Sequence, residues 1–132
     1  NMDICKLLKE SKTIAVIGFS RNPHRVSREI ASYLDNYKYN VIGINPGINE
    51  NEVDGFKVFK SLKDVPEKID IVNVFRKPEF IDEIIPDVIA VNPDVLWLQL
   101  GIRNDEAVRP AEEKDIKVIQ DNCIKIAHSN CF

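Results

Sequence analysis

The sequence predicts a doubly wound α/β domain: a five-stranded parallel sheet with helices on both faces. Three observations predict it. Five short runs are nearly continuous in apolar and β-branched residues, as strands buried on both faces must be. Their starts fall 27, 29, 26 and 21 residues apart, which leaves room for one crossover helix each time. Between them, apolar residues recur at helical intervals.

The five runs are Thr13 to Gly18, Asn40 to Asn45, Ile69 to Phe75, Val95 to Leu100 and Ile116 to Gln120. After the first, Val26, Ile30, Tyr33, Leu34 and Tyr37 make an amphipathic helix. After the third, Phe80, Ile81, Ile84, Ile85, Val88 and Ile89 make another, in which Pro86 predicts a kink or a restart. After the fourth, Asn104 caps a short helix interrupted by Pro110. The stretch between the second and third runs is poorest in pattern: Asn49 to Gly55 is turn-like, Lys57 to Phe59 is a brief extended piece, and Ser61 to Val65 makes about one helical turn. A helix over Asp3 to Glu10 opens the chain. Asn1 ahead of Met2 reads as a remnant of an expression tag.

With 132 residues, 44% hydrophobic and 30% charged, the chain suits one soluble domain spanning residues 1–132. A net charge of −3 speaks against a nucleic-acid partner, so any anion site must be local. No apolar run reaches the roughly 18 residues of a membrane span. Asp3, Lys6 and Lys9 break any secretory signal, and Cys5, Cys123 and Cys131 form neither a C-x-x-C pair nor an even set. The expectation is a cytoplasmic protein with incidental thiols. His128 reads as a surface residue, and Trp97 as core.

The stretch Gly18-Phe19-Ser20-Arg21-Asn22-Pro23-His24-Arg25 joins the first strand to the first helix. In such sheets this turn brings backbone N–H groups and a helix amino terminus to a phosphate. Gly18 admits close approach, Ser20 adds a hydroxyl, and Arg21 and Arg25 can make charge-assisted hydrogen bonds. A dinucleotide fingerprint would need two further glycines, where Ser20 and Pro23 stand, and an acid at the end of the second strand for the ribose. That strand ends instead in Asn45-Pro46-Gly47. Phe75 with Arg76 and Lys77 ends the third run, offering a ring for an adenine and cations for phosphate. Gly101 ends the fourth. No nucleophile–base pair stands out, so no catalytic residue and no metal ligand is assigned.

At Ala15–Ser20, Gly43–Pro46, Asn73–Arg76, Trp97–Ile102 and Asp121–Ile124 the sequence resembles the small stand-alone CoA-binding proteins. These are related to the nucleotide-binding domain of the succinyl-CoA synthetase α-subunit. The resemblance implies a Rossmann-type sheet in strand order 3-2-1-4-5, with coenzyme A or an acyl-CoA as the cofactor across the strand ends. It places Gly18, Ser20 and Arg25 on the phosphates, Asn45 and Pro46 beside the adenosine half, and Phe75, Arg76, Ile81 and Ile102 along the rest of the groove. Asn92 and Asp115 stand where the family has glycines. The expected function is a non-catalytic binding module; an NAD(P)-dependent oxidoreductase or a ligand-free interaction module are the alternatives.

Overall fold

The computed structural model describes residues 2–132. Its strands are β1 (Thr13–Ile17), β2 (Asn40–Ile44), β3 (Glu52–Val53), β4 (Phe56–Phe59), β5 (Ile71–Val74), β6 (Val95–Leu98) and β7 (Lys117–Ile119). Its helices are α1 (Ile4–Glu10), α2 (Val26–Asn36), α3 (Ile81–Val91), α4 (Asp105–Glu112) and α5 (Ile124–Cys131). The sheet runs β3-β4-β2-β1-β5-β6-β7, all pairs parallel except the β3–β4 hairpin.

Alternation along the strands sorts the core into two layers. Ala15 and Ile17 of β1 face one layer with Ile81, Ile85 and Val88 of α3 and Val108 and Ala111 of α4. Ile14 and Val16 face the other, with Leu8 of α1, Ile30, Ala31 and Leu34 of α2, and Ile124 of α5. Side chains on successive strand residues point to opposite faces, so a run apolar at every position demands a cover on both. The doubly wound architecture follows.

The five-strand count and the order 3-2-1-4-5 require correction. There are seven strands, and the run at Ile71–Val74 pairs with β1, not with β2. The place beside β2 belongs to β4, whose Phe56-Lys57-Val58-Phe59 is half exposed and only four residues long. A short strand near a sheet edge lacks the continuous apolar signature of a doubly covered one, so it reads poorly in sequence. The site inherits the consequence: the chain goes from β1 to one side, then crosses back to the other, and the switch point lies at the tip of β1 between β2 and β5.

Local signals hold elsewhere. Asp3 caps α1 by accepting from the Lys6 N–H, and Asn104 caps α4 by accepting from the Ala107 N–H. Neither proline restarts a helix: α3 runs unbroken through Pro86, and α4 through Pro110. Asn92 and Asp115 both take left-handed backbone, with φ of 50° and 64°, a geometry that glycine adopts without the cost other residues bear.

Two side-chain expectations are reversed. Cys5 and Cys131 form a disulfide across 126 residues with Cα atoms 5.5 Å apart, joining α1 to α5; only Cys123 is a free thiol. His128 is 4% exposed, within a cluster of Tyr33, Tyr37, Tyr39 and Phe132. Sequence spacing carries no information about either, since both bring together residues far apart in the chain. Trp97 is core as expected, its indole N–H donating to the Asn122 carbonyl at 2.8 Å.

Candidate binding site at the tip of the first strand

Gly18 has φ of 88°, and a Cβ placed on it would meet the Phe75 carbonyl oxygen at 2.4 Å. Only glycine lets β1 turn here while β5 lies this close. Phe19 then turns inward and is fully buried, its ring lying in the hollow left by Gly43, where a Cβ would come within 2.5 Å of the ring. The Asn45 side chain ties the end of β2 to this turn, donating from Nδ2 to the Phe19 carbonyl at 2.7 Å and accepting from the Gly47 N–H at 2.8 Å.

Arg28 fixes the outer side of the turn. It is 5% exposed and donates to the carbonyls of Ser20 (3.1 Å) and Arg21 (3.0 Å) and to Asp54 (2.8 Å). Its guanidinium lies 5.2 Å from the Phe19 ring centre and 5.5 Å from that of Phe56. By holding the carbonyls on its own side, Arg28 leaves the amide side of the turn free. Arg28→Met is expected to destabilise the domain by about 2 kcal/mol, since three charge-assisted bonds go while the two carbonyls can still find water. A denaturant midpoint unchanged within error would show that the clamp is idle.

The turn and the start of α2 enclose a cleft of about 480 Å³. Gly18, Phe19, Ser20, Arg25, Asn45 and Phe75, six of the thirteen residues assigned from sequence, line it. His24, Val26 and Ser27 complete the wall, and no carboxylate lines it. The Gly18 N–H is not among the available donors, because it bonds the Ile44 carbonyl at 3.1 Å. Ser20 Oγ accepts from the Asn22 N–H, and Asn22 Oδ1 accepts from the His24 N–H, so the turn is partly satisfied from within. Five amides of this stretch have no partner among the described residues: those of Phe19, Ser20, Arg21, Val26 and Ser27.

The last two open α2, whose amino end has no side-chain cap because Arg25 occupies the capping position. Ser27, the second residue of the helix, is 5% exposed, borders the cleft and has no hydrogen-bond partner for its hydroxyl. An uncapped helix start with a sheltered hydroxyl and a neighbouring arginine presents the donors and the positive potential that an anion seeks. Ser27 was missed in sequence; its only signal is its place at the second position of the predicted helix.

The remaining assigned residues fare differently. Arg21 does not face the cleft: it makes a two-pronged ion pair with Glu50, whose hydrogen bond raises the arginine's pKa and lowers the carboxylate's. Ile81 is fully buried in the α3–α4 layer and lines no groove. Its helical period places it in the apolar face of α3, whereas only the family resemblance placed it along the groove. Pro46 is exposed, with its carbonyl accepting from Lys60. Arg76 pairs with Glu83 at 3.0 Å and lies over Phe80, while Lys77 begins a 3-10 turn at Pro78–Phe80. Gly101 has φ of 84° and donates its N–H to Asp121, and Ile102 packs on the α3–α4 layer. None of these five borders the cleft, although Arg76, Lys77, Gly101 and Ile102 follow the same carboxyl ends of β5 and β6.

A larger hollow of about 740 Å³ lies between α3 and α4. Glu79, Asp82 and Glu106 stand around it, so it repels phosphate.

Comparison with known proteins agrees with the fold. The chain is 39% identical over 127 residues to the uncharacterized protein YneT of Bacillus subtilis (strain 168), covering 96% of this chain and 93% of that one. A solved Thermus thermophilus protein superposes with a TM-score of 0.93 at 34% identity, covering 99% of this chain and all of the other. The α-subunit of acetate–CoA ligase (ADP-forming) II of Pyrococcus furiosus is 32% identical over 71 residues, which are 53% of this chain but 15% of the subunit. The model of the CoA binding domain matches residues 12–129, and with that match, over nearly the whole described fold, the chain belongs to the CoA-binding domain family.

Proposed function

We propose that the domain binds coenzyme A or an acyl-CoA through its ADP and phosphate portion and has no catalysis of its own. The observation that carries this reading is the open amino end of α2. Its two free amides, the Ser27 hydroxyl and Arg25 converge on a cleft without a carboxylate. The pyrophosphate would sit there, with the adenosine toward Asn45 and Pro46. The pantetheine arm would run past Phe75 and Arg76 toward Gly101 and Ile102. Family membership and the relation to an acetate–CoA ligase subunit support the choice of ligand.

The nicotinamide alternative is weaker on physical grounds. β2 ends in Asn45-Pro46, and the acid nearest in sequence, Glu50, is occupied by Arg21. A ribose would find no free carboxylate. The same pair takes Arg21 away from a 2′-phosphate.

Thermal shift with CoA, acetyl-CoA, NAD and NADP in parallel tests the proposal. At about 100 times its dissociation constant a ligand adds roughly 2.7 kcal/mol, which moves the midpoint by on the order of 10 °C. CoA or acetyl-CoA should produce that shift. Arg25→Ala should reduce the affinity several-fold and flatten its salt dependence, because an exposed arginine–phosphate contact is screened by ions. A response to NAD without one to either CoA species would overturn the assignment.

A further inference from the structure

The opposite end of the sheet carries a second hollow, of about 360 Å³, where α1 runs into β1 and α2 into β2. Lys9, Lys12 and Lys38 line it, and none of the three makes an ion pair among the described residues. No acid lines it. The carboxylate closest to Lys12, that of Asp70, is engaged by the Lys12 and Thr13 N–H groups and by Lys68. Tyr37 and Phe132, both more than half exposed, give it flat walls.

His128 makes this more than a patch of solvated lysines. It borders the hollow at 4% exposure, with Nδ1 bonded to the Tyr33 hydroxyl at 2.8 Å and no partner for Nε2 among the described residues. With Nδ1 engaged by the Tyr33 hydroxyl, Nε2 is the ring nitrogen left for a ligand, and it is a donor in the tautomer in which the Tyr33 O–H donates to Nδ1. Burial lowers the pKa of this histidine, so the ring is neutral at neutral pH. Lys38 adds a sign of its own: it holds φ of 74°, left-handed backbone that a glycine would adopt without the cost a lysine bears.

We propose that this hollow is a second binding site, for a small anion bearing a planar ring, an aryl or heteroaryl phosphate or carboxylate. The ring stacks on Tyr37 and Phe132, the three lysines neutralise the charge, and His128 Nε2 donates to the anion or to the ring. The site is independent of the one at the tip of β1, from which a five-residue strand separates it by about 15 Å.

The chain's two histidines report on the two sites separately: His24 lines the first and His128 the second. Phenyl phosphate is titrated while both ring resonances are followed by NMR, with inorganic phosphate as the ringless comparison. The expected result is a saturable shift of His128, at least fivefold tighter for phenyl phosphate than for phosphate. Lys12→Gln with Lys38→Gln should weaken it at least tenfold while the His128 resonance of the free protein stays in place. A stationary His128, movement of His24 alone, or equal affinity in the double variant would overturn the proposal. A first-site failure would show instead as a lost CoA response with the His128 titration intact.

Discussion

Gly18→Ala is expected to lower stability by about 3–4 kcal/mol and to abolish the thermal response to CoA. Two costs add. Holding an alanine at φ of 88° costs roughly 1–2 kcal/mol. The new methyl group would stand 2.4 Å from the Phe75 carbonyl oxygen, and that atom is backbone, so no rotamer can relieve the clash. The tips of β1 and β5 must part, an overpacking cost of about 1–3 kcal/mol. The midpoint should fall by on the order of 12–15 °C. Gly43→Ala provides the comparison, since its methyl group would meet the Phe19 ring and displace the turn from the opposite side. A Gly18→Ala protein melting within 3 °C of the parent would mean that the tip of β1 is not packed as described.

Reducing the Cys5–Cys131 bridge, or replacing Cys131 by serine, is expected to lower the midpoint by on the order of 10 °C. The bridge spans 126 residues, nearly the whole chain, and so restricts the unfolded ensemble almost as much as a single link can. In the chain-entropy description a loop of this size is worth roughly 3–5 kcal/mol. Thiol titration of the denatured protein gives the complementary count: Cys123 alone before reduction, all three cysteines after it. A titration that rises as expected with no fall in the midpoint would show that α1 and α5 hold together without the link. The same bridge braces Lys9 on α1 and Phe132 beyond α5, two walls of the hollow around His128. Reduction should therefore weaken phenyl phosphate binding more than CoA binding.

The first two strands and the turn between β1 and α2 were legible because their signals are local. An apolar run must be covered on both faces, and Gly18 must turn wherever the chain goes next. The absence of an acid after β2 is likewise a fact of order along the chain.

What depended on tertiary structure is everything that joins distant residues. The sheet order turned on a four-residue strand, β4, which gains its place by pairing with β2 and has little burial to announce it. Arg28 reads in sequence as one more polar helix residue; only packing brings its guanidinium under two carbonyls of the preceding turn. Arg21 was assigned to phosphate because its charge is visible in sequence while its partner, 29 residues away, is not. Ile81, which only the resemblance placed along the groove, lies in the core on the side its helical period indicates. By itself the sequence determined a doubly wound domain with a glycine turn after the first strand and no acid closing the second, because each of these follows from neighbours in the chain. Tertiary structure alone decided which amides stay free, which cations are already paired, and that the two ends of the chain meet in a disulfide beside a buried histidine, because those depend on contacts that no spacing encodes.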